Sequence, residues 1–228
     1  MRRKLATIII SIFVALFILA IGIACPIFVR AFYYAHIEPL ELVEKTGYSE
    51  ETIREAFDEM MDYCTHGGPK SGYRFGTGEL AWSEDGKAHF DDVARLFSWD
   101  LRILLISFVA ILIYVVLGLI NKSGINSEQR KGLGPFFWGP LGLLAAMGAV
   151  GYLVATNFDA FFVKFHEAFF PGKDNWLFDP AEDEIIKILP EVFFRNCAIL
   201  IISVIVILSL FLIVFSLVKR SKRRARKY

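Results

Sequence analysis

Apolar residues fall into four long runs, which begin near residues 5, 101, 135 and 197. Each run is about 20 residues long, the length that an α-helix needs to span a bilayer. Two polar stretches, residues 31–98 and 156–194, follow the first and third runs. The pattern predicts an all-α integral membrane protein with four transmembrane helices and a helical cap formed by the two polar stretches.

The first run has one competing interpretation, a cleaved signal peptide. Such a peptide has a shorter apolar core and ends in a site of small residues. The sequence around Cys25 resembles a lipoprotein cleavage site, but Gly22 stands where leucine is expected. We therefore interpret the run as a retained helix. The predicted boundaries are 1–30, 99–120, 135–155 and 195–218 for the transmembrane helices, 31–98 and 156–194 for the cap segments, 121–134 for a turn and 219–228 for a basic tail.

The first cap segment shows helical periodicity. Ser49 is a candidate N-cap, and acidic residues occupy the first turn after it. Apolar residues then recur on one helical face at Ile53, Phe57, Met60, Met61 and Cys64. Residues 89–99 predict a short helix that leads into the second membrane segment, and Asp179-Pro180 predicts the start of another short helix.

Charge is segregated along the chain although the net charge is only +1. The N-terminus, the 121–134 turn and the tail are rich in lysine and arginine. The cap segments are acidic, with 14 acidic and 6 basic side chains in residues 31–98 and 8 and 3 in residues 156–194. Basic loops favour the cytoplasmic side. Both termini are therefore predicted in the cytoplasm, and the cap is predicted to be extracytoplasmic.

Composition excludes several other functions. With 55% hydrophobic residues and a mean hydropathy of +0.49, the chain is too apolar for an ordinary soluble domain. The basic tail beside a membrane helix indicates contact with anionic lipid headgroups rather than with nucleic acid. The three cysteines show no paired spacing, and His166-Glu167 lacks the second histidine of a zinc protease motif. We expect no metal and no cofactor, and find no nucleophile elbow or phosphate loop.

Two histidines are candidates for acid–base chemistry. His89 precedes the second membrane segment by about ten residues, and His166 follows the third by a similar interval. Both are therefore predicted at the same depth, in one shared site. Asp92 lies one turn after His89 and is placed to hold its tautomer. The alternatives are that the histidines anchor the interface and that Asp92 caps a helix over 92–98.

Aromatic residues accompany these histidines. We expect an apolar cleft for a lipid-like substrate, with both histidines at its polar end. The alternative is an aromatic belt at the membrane interface. The predicted lining residues are Tyr33, Tyr34, Phe165, Phe169 and Trp176. The remaining histidines, His36 and His66, are interpreted as solvated or structural.

Four motifs give the chain a family resemblance. They are YYAHIEPLELVEKTGYSEETIREAFDEMMDYC, SEDGKAHFDDVARLF, FHEAFFPGKDNWLFDP and LPEVFF. In order and spacing they resemble the lipoprotein intramolecular transacylases, bacterial four-helix membrane proteins. The resemblance implies a diacylated lipoprotein substrate in the cell membrane. It also implies transfer of an acyl chain from the sn-2 oxygen to the N-terminal cysteine amine, with His89 and His166 as the catalytic pair.

We expect His89 to be the principal base and acid, with Asp92 orienting it and His166 assisting. Donor ester and acceptor amine belong to one molecule, so no acyl-enzyme is required. A histidine near its ordinary pKa can take a proton from the amine and return one to the leaving oxygen. The main alternative is a non-catalytic membrane protein whose cap binds lipid or a partner protein. An intramembrane hydrolase is disfavoured because no nucleophile or metal motif is present.

Overall fold

The computed structural model describes residues 2–70, 72, 78–120 and 133–225. In these ranges every regular element is helical. Most of the predicted 121–134 turn, part of the 67–86 loop and the last three residues of the tail lie outside the described residues. The α-helices are α1 Arg2–Phe28, α2 Arg30–Ile37, α3 Leu42–Thr46, α4 Glu50–Thr65, α5 Glu84–Ile120, α6 Pro135–Thr156, α7 Phe158–Phe169, α8 Ile185–Ile188 and α9 Glu191–Ala225, with a 3₁₀ turn at Gly68–Lys70.

Four of these helices are long and apolar enough to cross a membrane. They are α1, α5, α6 and α9, and they correspond to the four predicted transmembrane segments. The predicted fold class, an all-α integral membrane protein with four such helices, is confirmed. The described part of the chain divides into two units, and α1, α5, α6 and α9 each contribute residues to both.

Helix α5 differs from the sequence prediction. Residues 89–99 do not form a separate short helix, because α5 runs without interruption from Glu84 to Ile120. The sequence from 87 to 117 contains neither proline nor glycine, so nothing in it favours a break. Asp92 lies inside this helix, and the interpretation that it caps a helix over 92–98 is wrong.

The second polar stretch also differs in detail. No helix begins at Pro180, and α8 starts five residues later at Ile185. Asp179 instead forms a turn, in which its carboxylate accepts a hydrogen bond from the Ala181 N–H at 2.8 Å. Its backbone carbonyl accepts another from the Asp183 N–H at 2.7 Å. A side-chain bond two residues on is the usual turn chemistry of aspartate.

The bundle unit comprises Met1–Ile23, Leu101–Tyr152 and Ile201–Tyr228. Val14, Ile18, Leu143 and Ile205 form its buried core. Close helix contacts depend on small residues, since a Cβ atom at Gly139 would overlap the backbone of Ser11. Such contacts are typical of packing between helices in lipid. The outward faces remain apolar, as expected for surfaces that meet hydrocarbon.

The site unit comprises Ala24–Asp100 and Leu153–Leu200. Its centre includes α4, whose predicted N-cap is confirmed because the Ser49 hydroxyl accepts a hydrogen bond from the Thr52 N–H at 3.0 Å. The predicted apolar face of α4 is also confirmed, since all of its members are buried: Ile53, Phe57, Met60, Met61 and Cys64. Tyr33 of α2 stacks on Phe57 with ring centroids 3.7 Å apart.

Candidate active site

The two candidate histidines are neighbours in the site unit. His89 lies on α5 and His166 lies on α7, and their ring centroids are 5.8 Å apart. Both side chains are buried, with 6% and 7% of their surface exposed. The juxtaposition expected from their equal distances to the membrane segments is therefore present in the structure.

A carboxylate cap fixes the start of α5 and so positions His89. The Ser83 hydroxyl accepts a hydrogen bond from the Gly86 N–H at 2.9 Å, which is an N-cap arrangement. The buried Asp183 in turn accepts hydrogen bonds from the Ser83 backbone N–H at 2.8 Å and from its hydroxyl at 2.9 Å. Glycine is required at position 86, because a Cβ atom there would overlap the Asp183 carboxylate.

Local hydrogen bonds fix His166 as well. Helix α7 begins after Asn157, whose side chain accepts a hydrogen bond from the Ala160 N–H at 3.0 Å. Further along the helix, Nδ1 of His166 lies 2.8 Å from the carbonyl oxygen of Phe162. A carbonyl can only accept, so Nδ1 carries the proton. The neutral ring therefore presents Nε2 with a free lone pair, the form that a general base needs.

The ring of His89 is not fixed by a hydrogen bond of this kind in the described part of the chain. Its Nδ1 atom is buried without a hydrogen-bond partner among the described residues. Burial lowers the pKa of His89 to about 4, and the neighbouring His166 acts in the same direction. Asp92 opposes this shift, and Lys173 adds a smaller lowering effect. Burial also lowers the pKa of His166, although its bond to the Phe162 carbonyl partly offsets this. Both rings are thus held neutral at pH 7.

Aromatic rings surround the pair on several sides. The ring of Phe170 lies 4.9 Å from that of His89 and 5.7 Å from that of His166. The ring of Phe178 packs on His89 at 5.4 Å, and that of Trp176 stacks on His166 at 4.6 Å. These contacts remove the imidazoles from water, which is the physical cause of their lowered pKa values.

Asp92 is buried near the pair, and its ion-pair partners are two cations. Its carboxylate receives Lys173 from the loop after α7 and Arg95 from the next turn of α5. Lys173 is 81 residues away in sequence. The hydrogen bond from the His89 ring to the Asp92 carboxylate that the sequence suggested is not formed in the described part of the chain. Asp92 pairs with Lys173 and Arg95, and Nδ1 of His89 has no partner there. The ion pairs keep the pKa of Asp92 below its ordinary value despite its burial.

Comparisons with known proteins identify the family. The model of the lipoprotein intramolecular transacylase Lit family matches residues 8–194 of the chain. This chain belongs to that family. It is an acyltransferase that acts on lipoproteins in the membrane. A comparison with curated protein sequences gave no match.

Solved structures agree with the family assignment. The membrane-integral lipoprotein intramolecular transacylase Lit of Bacillus cereus is 24% identical with a TM-score of 0.83, and the match covers 100% of this chain and 99% of that one. A variant of the same protein with one histidine replaced by arginine gives 23% identity over 99% and 95% of the chains and a TM-score of 0.78. A variant with one histidine replaced by alanine is 25% identical with a TM-score of 0.76, and the match covers 98% of this chain and 96% of that one.

The residues predicted to bind substrate in this transacylase fall into two groups. Trp176, Phe165 and Phe169 lie at or near the histidine pair, and Phe165 packs against His166 with ring centroids 5.5 Å apart. Tyr33 and Tyr34 make no ring contact with either imidazole among the described residues. They pack against Phe57 instead, and Tyr33 is buried.

Several residues of the candidate site were missed by sequence reasoning. Phe170 and Phe178 contact His89, and Phe162 supplies the carbonyl that fixes His166. Helical spacing four residues before His166 could have indicated Phe162. Lys173 and Asp183 act through contacts distant in sequence, which no local pattern reveals. In the described part of the chain, no group of three or more histidine, cysteine and acidic side chains could hold a metal ion.

Proposed function

We propose that this transacylase moves the acyl chain on the sn-2 oxygen of a diacylglyceryl lipoprotein to the α-amino group of its N-terminal cysteine. The nitrogen attacks the ester carbonyl carbon, a C–N bond forms and the bond to the sn-2 oxygen breaks. One proton moves from the nitrogen to the leaving oxygen, and the product is the lyso form. The observation that carries the proposal is the buried pair of neutral imidazoles 5.8 Å apart.

Orientation supplies part of the rate. Attack within one lipoprotein closes a roughly eight-membered ring, which forms rarely in a free lipid, and a shaped pocket raises the fraction of reactive conformers. The rings around the histidines are suited to hold an acyl chain folded back toward the amine. Phe165, Phe169 and Trp176 are the predicted substrate contacts nearest to the pair.

The local hydrogen bonds favour His166 as the base, whereas the sequence had favoured His89. The Phe162 carbonyl holds the His166 tautomer in which Nε2 is free to take the amine proton and return it to the leaving oxygen. His89 is a weaker base, because its pKa is lowered to about 4. We assign to His89 a hydrogen bond to the ester, for which its unpaired Nδ1 atom is available.

The proposed site faces outward from the cytoplasm, at the junction of the cap and the membrane. The segregation of basic and acidic residues supports this orientation. A reporter fused after Tyr228 or inserted in the 121–134 turn should be cytoplasmic, and one inserted in the 67–86 loop should be external. External labelling of the tail would contradict the proposed orientation.

The direct test of the reaction is the position of the acyl chain. The protein is expressed in a bacterium that makes only diacylated lipoproteins, and the N-terminal peptide of one lipoprotein is analysed by tandem mass spectrometry. Fragments should contain an N-acylated cysteine and a glyceryl group with one remaining acyl chain, at unchanged total mass. An unmodified amine would contradict the proposal. His66→Ala is a matched control, because His66 is exposed at the end of α4.

A further inference from the structure

The loop after α7 is fastened to both imidazole rings, and Lys173 lies between its two points of attachment. The ring of Phe170 packs on His89 at 4.9 Å, and the ring of Trp176 stacks on His166 at 4.6 Å. Lys173 is three residues from each. A loop attached in this way holds its central residue next to the histidine pair.

Two hydrogen bonds hold the backbone of this loop at Lys173. Its N–H donates to the Phe170 carbonyl at 3.1 Å, and its carbonyl accepts the indole N–H of Trp176, also at 3.1 Å. The turn passes through Gly172 at a φ of +73°, in the left-handed region that glycine adopts at no steric cost. The residues that pack against the imidazoles therefore also set the position of Lys173.

The Lys173 side chain is directed to α5 by Asp92. That carboxylate is 7% exposed and lies one helical turn after His89, and the ammonium group of Lys173 pairs with it. The lysine side chain remains 45% exposed, so it is accessible to a substrate. Its charge is close enough to His89 to contribute to the lowered pKa of that ring. Arg95 also pairs with Asp92, but it is 67% exposed and extends from the same helix.

The reaction develops a negative charge on the ester carbonyl oxygen, and a cation close to that oxygen would stabilise it. When the nitrogen attacks, the electron pair of the C=O bond moves to the carbonyl oxygen, and collapse of this oxyanion expels the sn-2 oxygen. Both imidazoles are neutral at pH 7. A fixed cation beside a water-excluded site stabilises such an oxyanion more in the transition state than in the ground state.

We propose that Lys173 stabilises the oxyanion of the tetrahedral intermediate and that Asp92 is its positioning residue. Lys173 keeps its proton throughout, and the proton that moves from nitrogen to oxygen travels through His166. The proposal rests on the proposed acyl transfer. In this proposal Asp92 positions Lys173 and does not orient His89. This role agrees with the ion pairs that Asp92 forms.

The test separates charge from packing at position 173. Lys173→Cys is purified in detergent and treated either with bromoethylamine, which restores an ammonium group at similar length, or with iodoacetamide, which adds a neutral group. Wild-type protein treated identically controls for Cys25, Cys64 and Cys197. Single-turnover conversion of a synthetic diacylated lipopeptide is then measured. We expect Lys173→Cys to lose about 10²–10³-fold in rate, aminoethylation to restore most of it, and the neutral adduct to restore none.

A second arm separates a catalytic lysine from a structural ion pair. Asp92→Asn leaves the ammonium group in the site, so it should cost less than Lys173→Met, and the double variant should be no slower than Lys173→Met alone. Lys164→Met is the matched control, since Lys164 pairs with Glu167 on an exposed face of α7. Equal losses in Asp92→Asn and Lys173→Met, or rescue by both adducts, would overturn the inference.

The arms also distinguish this inference from the acyl transfer on which it rests. If wild-type protein leaves the lipopeptide unchanged, the proposed function fails. If wild-type protein converts it and Lys173→Met converts it equally fast, only the role of Lys173 fails.

Discussion

The site unit contains two aromatic clusters built around histidines, and they differ in how their polar atoms are satisfied. We call His89, His166, Phe162, Phe170, Trp176 and Phe178 the histidine cluster, and Tyr33, Tyr34, His36, Phe57 and Phe193 the tyrosine cluster. Each contains a histidine whose Nδ1 donates to the carbonyl four residues earlier, at 2.8 Å for His166 and 2.6 Å for His36. Both contain closely packed rings.

The polar groups of the tyrosine cluster have protein partners. The Tyr33 hydroxyl donates to the Ile188 carbonyl at 2.9 Å, and the Tyr34 hydroxyl donates to Asp58 at 2.6 Å. In the histidine cluster, Nδ1 of His89 is buried, and no residue that the structure describes is its hydrogen-bond partner. A buried polar atom left unpaired costs free energy, and a substrate that supplies the partner recovers it. The comparison supports the proposal that the histidine cluster is the site and that the tyrosine cluster is scaffold.

Replacement of a histidine should therefore affect activity in only one cluster. His89→Ala or His166→Ala should lower the rate of lyso-lipopeptide formation by about 10²–10⁴-fold, the usual worth of acid–base assistance. His36→Ala should leave the rate per folded molecule close to that of wild type. The measurement is single-turnover conversion in detergent, with circular dichroism to confirm that each variant is folded. Full activity in both His89→Ala and His166→Ala would end the distinction between the clusters.

Stability should depend more on the tyrosine cluster than on the histidine cluster. Phe57 is 2% exposed and stacks on Tyr33 at 3.7 Å, so Phe57→Ala should cost about 3–5 kcal/mol, as for other buried Phe→Ala changes. The melting temperature in detergent should fall, while the activity of the remaining folded protein is retained. Phe169→Ala is the control, because Phe169 is 53% exposed. Equal melting temperatures for the two variants would show that the tyrosine cluster is not a stabilising core.

The sequence predicted the four membrane helices and the proximity of the histidines, because both depend on local patterns. Apolar runs marked the spans, and the equal distances of His89 and His166 from these runs placed them together. The long-range partners of Asp92 and Tyr33 could not be predicted in this way. Lys173 and Ile188 lie 81 and 155 residues away, and only the folded chain brings them within reach. Asp92 near a histidine therefore suggested the wrong hydrogen bond.

The electrostatic coupling within the histidine cluster can be measured directly. His89 should titrate with a pKa of about 4. The titration is measured by NMR of ¹³C-labelled histidine in detergent. His166→Phe keeps the site dry but removes one positive neighbour, so the pKa of His89 should rise while staying below its ordinary value of 6.5. Asp92→Asn should instead lower the pKa of His89 below its value in the wild-type protein. If neither substitution changes the pKa of His89, the two rings are not electrostatically coupled.

The same titration has a consequence for stability. Because the folded-state pKa of His89 is depressed, the unfolded chain takes up a proton below about pH 6.5 and the folded protein does so only near pH 4. His89 therefore has no effect on the pH dependence of stability above this window, and it lowers stability as the pH falls through the window, by up to about 1.4 kcal/mol per pH unit. In His89→Gln the fall between pH 6.5 and 4 should be smaller than in wild type, as measured by melting temperature.

The smallest effect on stability is expected at the exposed aromatic residues of α7. Phe165 and Phe169 are 39% and 53% exposed, and their rings pack on each other at 4.6 Å beside His166. Because Phe169 is the more exposed of the two, Phe169→Ala should change the free energy of unfolding by only about 0.5 kcal/mol. If the rings hold the acyl chain, KM for the lipopeptide should rise and kcat should fall less. Phe165→Ala should raise KM as well, with some loss of kcat because that ring also touches His166. An unchanged KM in both variants would assign the two rings to the aromatic belt.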